Sequence, residues 1–149
     1  MYYIGSMAIK LPSEADDWIG TWHEQLNDNE DFERAASGWG VEFNGAFLFE
    51  IQPDNAYDGE PLYFFVDLID GKCTRARQID TPTSENFGFR YYGPATHWKH
   101  LIRGDVNAAE GRRKEKFELD GDIQKVLQYS EAIQVMTENA RYIDTKFEY

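Results

Sequence analysis

The chain has one cysteine, Cys73, and no apolar run approaching the roughly 18 residues that a bilayer-spanning helix needs. A lone cysteine makes neither an internal disulfide nor a thiolate zinc site, so a reducing, cytoplasmic setting is expected. Stable membrane insertion is not. The opening residues, MYYIGSMAIKLPSEADD, lack the basic and apolar regions of a secretory signal. Positive charge is scarce too: 15 Lys plus Arg face 27 Asp plus Glu, for a net charge of −12. The averaged field repels phosphate backbones, and nucleic acid is not expected as a partner. No internal repeat or low-complexity tract appears, which sets solenoids and arrays aside.

What the chain has in plenty is rings. Ten Phe, nine Tyr and four Trp make 15% of its 149 residues, too many for a disordered acidic segment. A chain of this length is expected to form one domain and to bury about 68 to 70% of its extended surface, enough for a core without staples. Residues 1–11 show little pattern and are expected to be a flexible lead-in; residues 12–149 form the single domain.

The apolar period then locates the elements. Ser13 is a candidate N-cap, Glu14, Asp16 and Asp17 fill a first turn, and Ala15, Trp18, Ile19, Trp22 and Leu26 recur with helical spacing. Residues 30–36 read as a second short helix with Phe32 and Ala35 inward. From Trp39 the period becomes two: Trp39, Val41, Phe43, Gly45, Phe47, Phe49 and Ile51 share one side of a long strand over residues 39–52, with Gly45 marking a bulge or a close approach. Leu62–Ile69 is apolar on both faces, so both are expected to be covered, and Asp70-Gly71 predicts a hairpin into a third strand bearing Arg75 and Arg77 on one side. Residues 86–92 read as a fourth strand with Phe87, Phe89 and Tyr91 on one face.

Gly93-Pro94 opens a helix with Pro94 at its first position and Trp98, Leu101 and Ile102 as its apolar stripe. A short turn over residues 106–110 and a basic stretch, Arg112, Arg113, Lys114 and Lys116, lead to a fifth strand over residues 115–119 with Phe117 and Leu119. Asp120-Gly121-Asp122 turns into a last helix over residues 123–138, with Ile123, Val126, Leu127, Ile133 and Met136 inward. Residues 139–149 fit coil, strand or helix equally. The order predicts an α+β fold, one sheet with helices mostly on one face.

Catalytic signals are weak. His97 and His100 sit i, i+3 on a helix, but no third metal ligand has the right spacing, and their ordinary role is a polar helix face. His23 reads as a surface residue. Neither Cys73 nor any serine stands in a nucleophile motif, and Gly38-Trp39-Gly40 precedes a strand rather than a helix, so it is no phosphate loop. Glu42 and Glu50 form a carboxylate pair of the kind expected by chance in so acidic a chain. The basic stretch is either a solvated turn or a place where an anionic head group is met. The apolar surplus from several strands and helices is either solid core or the lining of a cavity for an elongated apolar ligand. Periodicity does not separate the two.

From Trp98 to Val126 the chain resembles the sterol carrier protein 2 lipid-binding family. The resemblance is carried by Trp98, Leu101, Gly104-Asp105, Ala108-Ala109, Gly111, Phe117-Glu118-Leu119 and Gly121-Asp122, with the upstream strands in the family's order. It implies an α+β fold with a five-stranded, mostly antiparallel sheet covered on one face by helices and enclosing an apolar cavity. It also implies a non-enzymatic carrier, without cofactor, for a sterol-like, fatty acyl or isoprenoid lipid. The expected lining is Phe43, Phe47, Phe49, Phe64, Phe87, Phe89, Trp98, Leu101, Ile102, Leu127, Ile133 and Met136. The alternatives are an accessory or dimerisation domain whose exposed apolar surface meets a protein partner, a second copy of the chain among the candidates, and a small hydrolase or isomerase using His97 or His100. The chain departs from the family in Arg75 and Arg77, in its aromatic first helix, and in ending Phe147-Glu148-Tyr149 without a peroxisomal signal.

Overall fold

The computed structural model describes residues 8–104 and 117–149. A short strand, β1 (Ile9–Leu11), comes first. Trp18, Ile19, Trp22 and Leu26 recur every three or four residues, and the chain over them winds into α1 (Ala15–Asn27), which buries that stripe together with Ala15. Glu14, not Ser13, occupies its N-cap; the Ser13 backbone N–H and hydroxyl both donate to the Glu148 carboxylate, at 2.7 and 2.9 Å. Asn29 caps α2 (Glu30–Ala35) by accepting from Asp31 and Phe32, and Phe32 turns inward.

The expected strand over residues 39–52 shortens to β2 (Phe47–Gln52). Gly38, Gly40 and Glu42 all take positive φ, and this left-handed run folds residues 38–46 back on themselves despite their strand-like alternation. A Cβ on Gly40 would collide with the Leu68 carbonyl oxygen, so only glycine lets this turn lie against the sheet. Beyond it come β3 (Leu62–Ile69) and β4 (Lys72–Ile79), joined by Asp70-Gly71, both with positive φ as a type I′ hairpin requires. β5 spans Phe89–Pro94, shorter than expected at its start, where Gly88 lies against the Asn44 carbonyl. Pro94 is the N-cap of α3 (Ala95–Arg103) rather than its first residue, and Gly104 ends the helix in the left-handed conformation.

The fifth strand of the main sheet, β6, covers Glu118–Asp120. The expected final helix is two, α4 (Ile123–Gln128) and α5 (Ser130–Glu138), broken at Tyr129 with φ −110° and ψ 31°. Its ring leaves the helical stack to meet Trp39 edge-on at 5.3 Å. A 3₁₀ turn, Asn139–Tyr142, leads to β7 (Thr145–Phe147). β7 pairs in parallel with β1, so the last residues of the expected flexible lead-in are in fact held, with Leu11 fully buried. The expected turn over residues 106–110 and the basic stretch lie outside the described residues.

The main sheet runs β4-β3-β2-β5-β6, antiparallel except for the parallel β2–β5 pair. Its inner face carries Phe47, Phe49, Phe64, Val66, Phe89 and Tyr91 beneath the helices; Trp22 meets Phe49 edge-on at 5.3 Å and Trp18 lies 5.6 Å from Phe64. The outer face holds a second, smaller cluster of Ala46, Leu48, Phe65 and Ile79. Residues 80–88 supply its cover: Phe87 packs on it and Glu85 receives Arg75 and Arg77, each at 2.6 Å. Phe87 therefore sits on the opposite side of the sheet from Phe89 and Tyr91.

Candidate functional site

Trp39 organises the middle of the core. Its ring stacks on Phe47 at 5.7 Å, lies 4.8 Å from Phe89, and meets Phe43 edge-on at 5.2 Å. Such pairs contribute roughly 0.5 to 1.5 kcal/mol each beyond their burial. Phe47, Phe49, Phe64, Phe89, Trp98, Leu101, Ile102 and Met136 all belong to this continuous core, with Phe43 and Ile133 partly buried at its margin. The space between them and the helices is almost filled. A cavity of about 10 Å³ lies among the described residues, bounded by Phe32, Trp39, Phe47, Leu68, Ile133 and Met136, at the lower limit for a single water.

Room opens further along the sheet. A cleft of about 100 Å³ lies between β5–β6 on one side and α4–α5 on the other, lined by Tyr91, Phe117, Leu119, Val126, Leu127, Ser130, Ile133, Gln134 and Thr137. Tyr91 and Phe117 stack at 5.0 Å to make one wall, and Trp98 meets Phe117 edge-on at 5.1 Å behind them. The opposite wall is one stripe of α5: Ser130, Ile133, Gln134 and Thr137 follow the i, i+3, i+4, i+7 rule. Of the residues expected to line a cavity, Leu127 and Ile133 are at this cleft. Leu127, expected inward, is 69% exposed, because the break at Tyr129 rotates α4 away from the face that α5 buries.

The roof is loosely attached. No residue of α4 is fully buried, Ile123 is 54% exposed, and the helix is held by half-buried Val126 on the core, by the Lys125 ammonium over the Phe43 ring at 4.8 Å and by Tyr129 against Trp39. By contrast, α5 buries Ala132, Met136 and Thr137.

The floor is rigid. Glu50, nearly buried on the outer face of β2, receives two hydrogen bonds from the Arg90 Nη2 and one from its Nε, at 2.8 to 3.0 Å. The Glu50 carbonyl accepts from Trp98 Nε1 at 2.9 Å, tying α3 to the sheet. Asp54 receives the Thr96 backbone N–H at 2.8 Å in the first turn of α3. Burial alone would raise its carboxyl pKa, but the donors from Thr96, Ala56 and Tyr57 hold it below the ordinary value.

Cys73 and His23 lie at the other edge of the sheet from the cleft, whereas His97 stands against its Phe117 wall. Cys73 is buried on β4, and burial pushes its thiol up to about 12, where little thiolate forms at neutral pH. His23 shares a hydrogen bond of 2.8 Å with the Cys73 carbonyl, docking α1 on the sheet edge. His97 lies edge-on to Phe117 at 6.2 Å. Among the described residues no group of three His, Cys, Asp or Glu side chains is placed to hold a metal ion.

No protein-family model matches the chain, and no curated protein matches it. Solved structures do. A crystal structure of sterol carrier protein 2 superimposes with a TM-score of 0.72 at 22% identity, covering 86% of this chain and 96% of that one. A conserved hypothetical protein of Thermus thermophilus, described as possibly a sterol carrier protein, gives 0.72 at 23% identity over 97% of each chain. The apo sterol carrier protein 2 of Yarrowia lipolytica gives 0.50 at 16% identity, covering 83% and 89%. The chain has the sterol carrier protein 2 fold, as its sequence resemblance implies, with the five-stranded sheet and the helices on one face.

Proposed function

We propose that this protein binds an apolar or amphipathic lipid in the cleft between β5–β6 and α4–α5, as a carrier rather than an enzyme. The observation that carries the reading is the pairing of an apolar cleft with a cover, α4, in which no residue is fully buried and only Val126 packs, half-buried, on the core. At about 100 Å³ the cleft is smaller than the roughly 150 Å³ cavity that takes up benzene, so an acyl or isoprenoid chain enters as α4 swings outward. Elements with few buried contacts open most cheaply, and the Tyr129 break supplies the hinge. Phe43, Phe47, Phe49, Phe64, Phe89, Trp98, Leu101, Ile102 and Met136 then form the apolar floor and back of the opened site, while Leu127 and Ile133 stand at its mouth; Phe87 is on the far side.

About ten buried methylenes at ~0.8 kcal/mol each contribute ~8 kcal/mol gross, reduced by the cost of association and ordering. The modest net affinity suits a carrier, which must also release. The fold likeness to proteins named as sterol carriers supports the reading, as does the unreactive setting of Cys73. The lone buried thiol is in keeping with a reducing cytoplasm, and among the described residues no helix is long and apolar enough to cross a membrane. Organic extraction of the purified protein followed by mass spectrometry tests the proposal: a stoichiometric lipid supports it. A lipid-free extract together with no binding of acyl, sterol or isoprenoid probes counts against it.

A second reading takes Ile123 and Leu127 as an apolar surface for a protein partner, such as a second copy of the chain. It predicts a solution mass above that of the monomer, lowered by Leu127→Ser.

A further inference from the structure

Resting on that reading, we infer that the cleft selects an uncharged lipid head group, an alcohol, ester or ketone oxygen, over a carboxylate or phosphate. The stripe of α5 that faces the cleft presents two hydroxyls and an amide at Ser130, Gln134 and Thr137, with no ionic side chain among the lining residues. The Thr137 hydroxyl is buried and donates back to the Ile133 and Gln134 carbonyls at 3.1 Å, leaving its oxygen lone pairs as acceptors. Ser130 and Gln134 stand at the exposed mouth. A neutral head group that accepts, as an ester or ketone oxygen does, or that accepts and donates, as an alcohol does, matches this set.

Charges around the cleft point the same way. On α5, Glu138 accepts from Gln134 Nε2 at 3.4 Å, so the ionic group that touches the polar stripe is a carboxylate. On α4, Lys125 is turned to the Phe43 ring and Asp122 caps the helix. On β6, Glu118 and Asp120 flank Leu119 and alternate to the outer face, where Asp120 stands 3.6 Å from Arg90. On α3, His97 stands behind the Phe117 wall, and an anionic head group seated here would give up water with no cation among the residues that line the cleft, in a chain of net charge −12. The basic run Arg112 to Lys116 directly precedes Phe117 in sequence, which makes preference for an anionic amphiphile the rival outcome.

The test is a matched pair of ligands. Hexadecanol and palmitate, of equal chain length, compete against one fluorescent apolar probe bound to the full-length protein at pH 8 and pH 5. The expected result is alcohol binding at least about tenfold tighter at pH 8, with the gap narrowing at pH 5 as the acid approaches neutrality near the ordinary carboxyl pKa of about 4.3. Gln134→Lys, at an exposed position, is expected to reverse the order, and Gln134→Leu to weaken the alcohol. Palmitate binding as tightly as hexadecanol at pH 8 overturns the inference and leaves the lipid-binding reading standing. If neither ligand displaces the probe, or no probe binds, both fall.

Discussion

The indole Nε1 of Trp39 donates to the carbonyl of Gly45, 2.9 Å away, across six residues of chain that alternate like a strand but close into a turn. The bond is buried, and it holds the ring that Phe43, Phe47, Phe89 and Tyr129 all contact. Trp39→Phe keeps an aromatic ring but leaves the Gly45 carbonyl without its donor. It is expected to cost about 1 to 3 kcal/mol in urea unfolding, with α4 loosened because Tyr129 loses its seat. Gly45→Ala is also destabilising, since its Cβ would lie 2.6 Å from that same nitrogen and 2.8 Å from the Leu68 carbonyl oxygen. Unchanged unfolding midpoints in both variants contradict this account of the turn.

The two halves of the last helical segment differ in what they bury. Met136→Ala on α5 is expected to cost about 2 to 5 kcal/mol, whereas Leu127→Ala on α4 stays within about 0.5 kcal/mol. Hydrogen exchange is expected to be faster in α4 than in α5. Equal protection of the two helices removes α4 as the moving cover.

Arg90 spans Glu50 and Asp120 and lies with its guanidinium carbon 3.7 Å from the centroid of the Tyr92 ring. Arg90→Met leaves the Glu50 carboxylate nearly buried with only the Gln52 amide donating to it, and up to about 3 kcal/mol of stability is expected to go, moderated because Arg90 is itself partly exposed. Pairing Arg90→Met with Glu50→Leu is expected to recover much of the loss. A double variant as unstable as the single one argues against the ion pair as the cause.

Glu85 fastens residues 80–88 over the outer cluster, and its hydrogen bonds from Arg77, then Arg75, hold its carboxyl below the ordinary 4.5. A folded-state pKa below the unfolded one stabilises fully above pH 4.5 and is lost as pH falls through the lower folded value. Wild type and Glu85→Gln are therefore expected to differ in urea midpoint at pH 7 and to converge in strong acid. A gap that widens on acidification has the wrong sign.

Much of this fold is written in local period. The α1 stripe from Ala15 to Leu26, the Asp70-Gly71 hairpin and the Trp98, Leu101, Ile102 face of α3 each follow from spacing within a dozen residues. Residues 39–46 kept a two-residue period while positive φ at Gly38, Gly40 and Glu42 bent them, and alternation carries no trace of such backbone signs. The Tyr129 break was hidden likewise, because helical spacing continues through it and only the distant Trp39 pulls the ring out. The cleft was half legible. Tyr91, Phe117 and Leu119 stood out as strand residues and Val126 as inward, but nothing singled out Ser130, Gln134 and Thr137, since polarity alone does not show that a helix stripe looks across at a second wall.

The most direct test is an NMR titration of the isotopically labelled protein with hexadecanol. Saturable shifts are predicted at Tyr91, Phe117, Leu119 and along α4–α5 from Val126 to Thr137, with Tyr129 broadened by hinge exchange. Shifts confined to other surfaces, or a spectrum unmoved at saturating lipid, contradict a lipid site beneath α4.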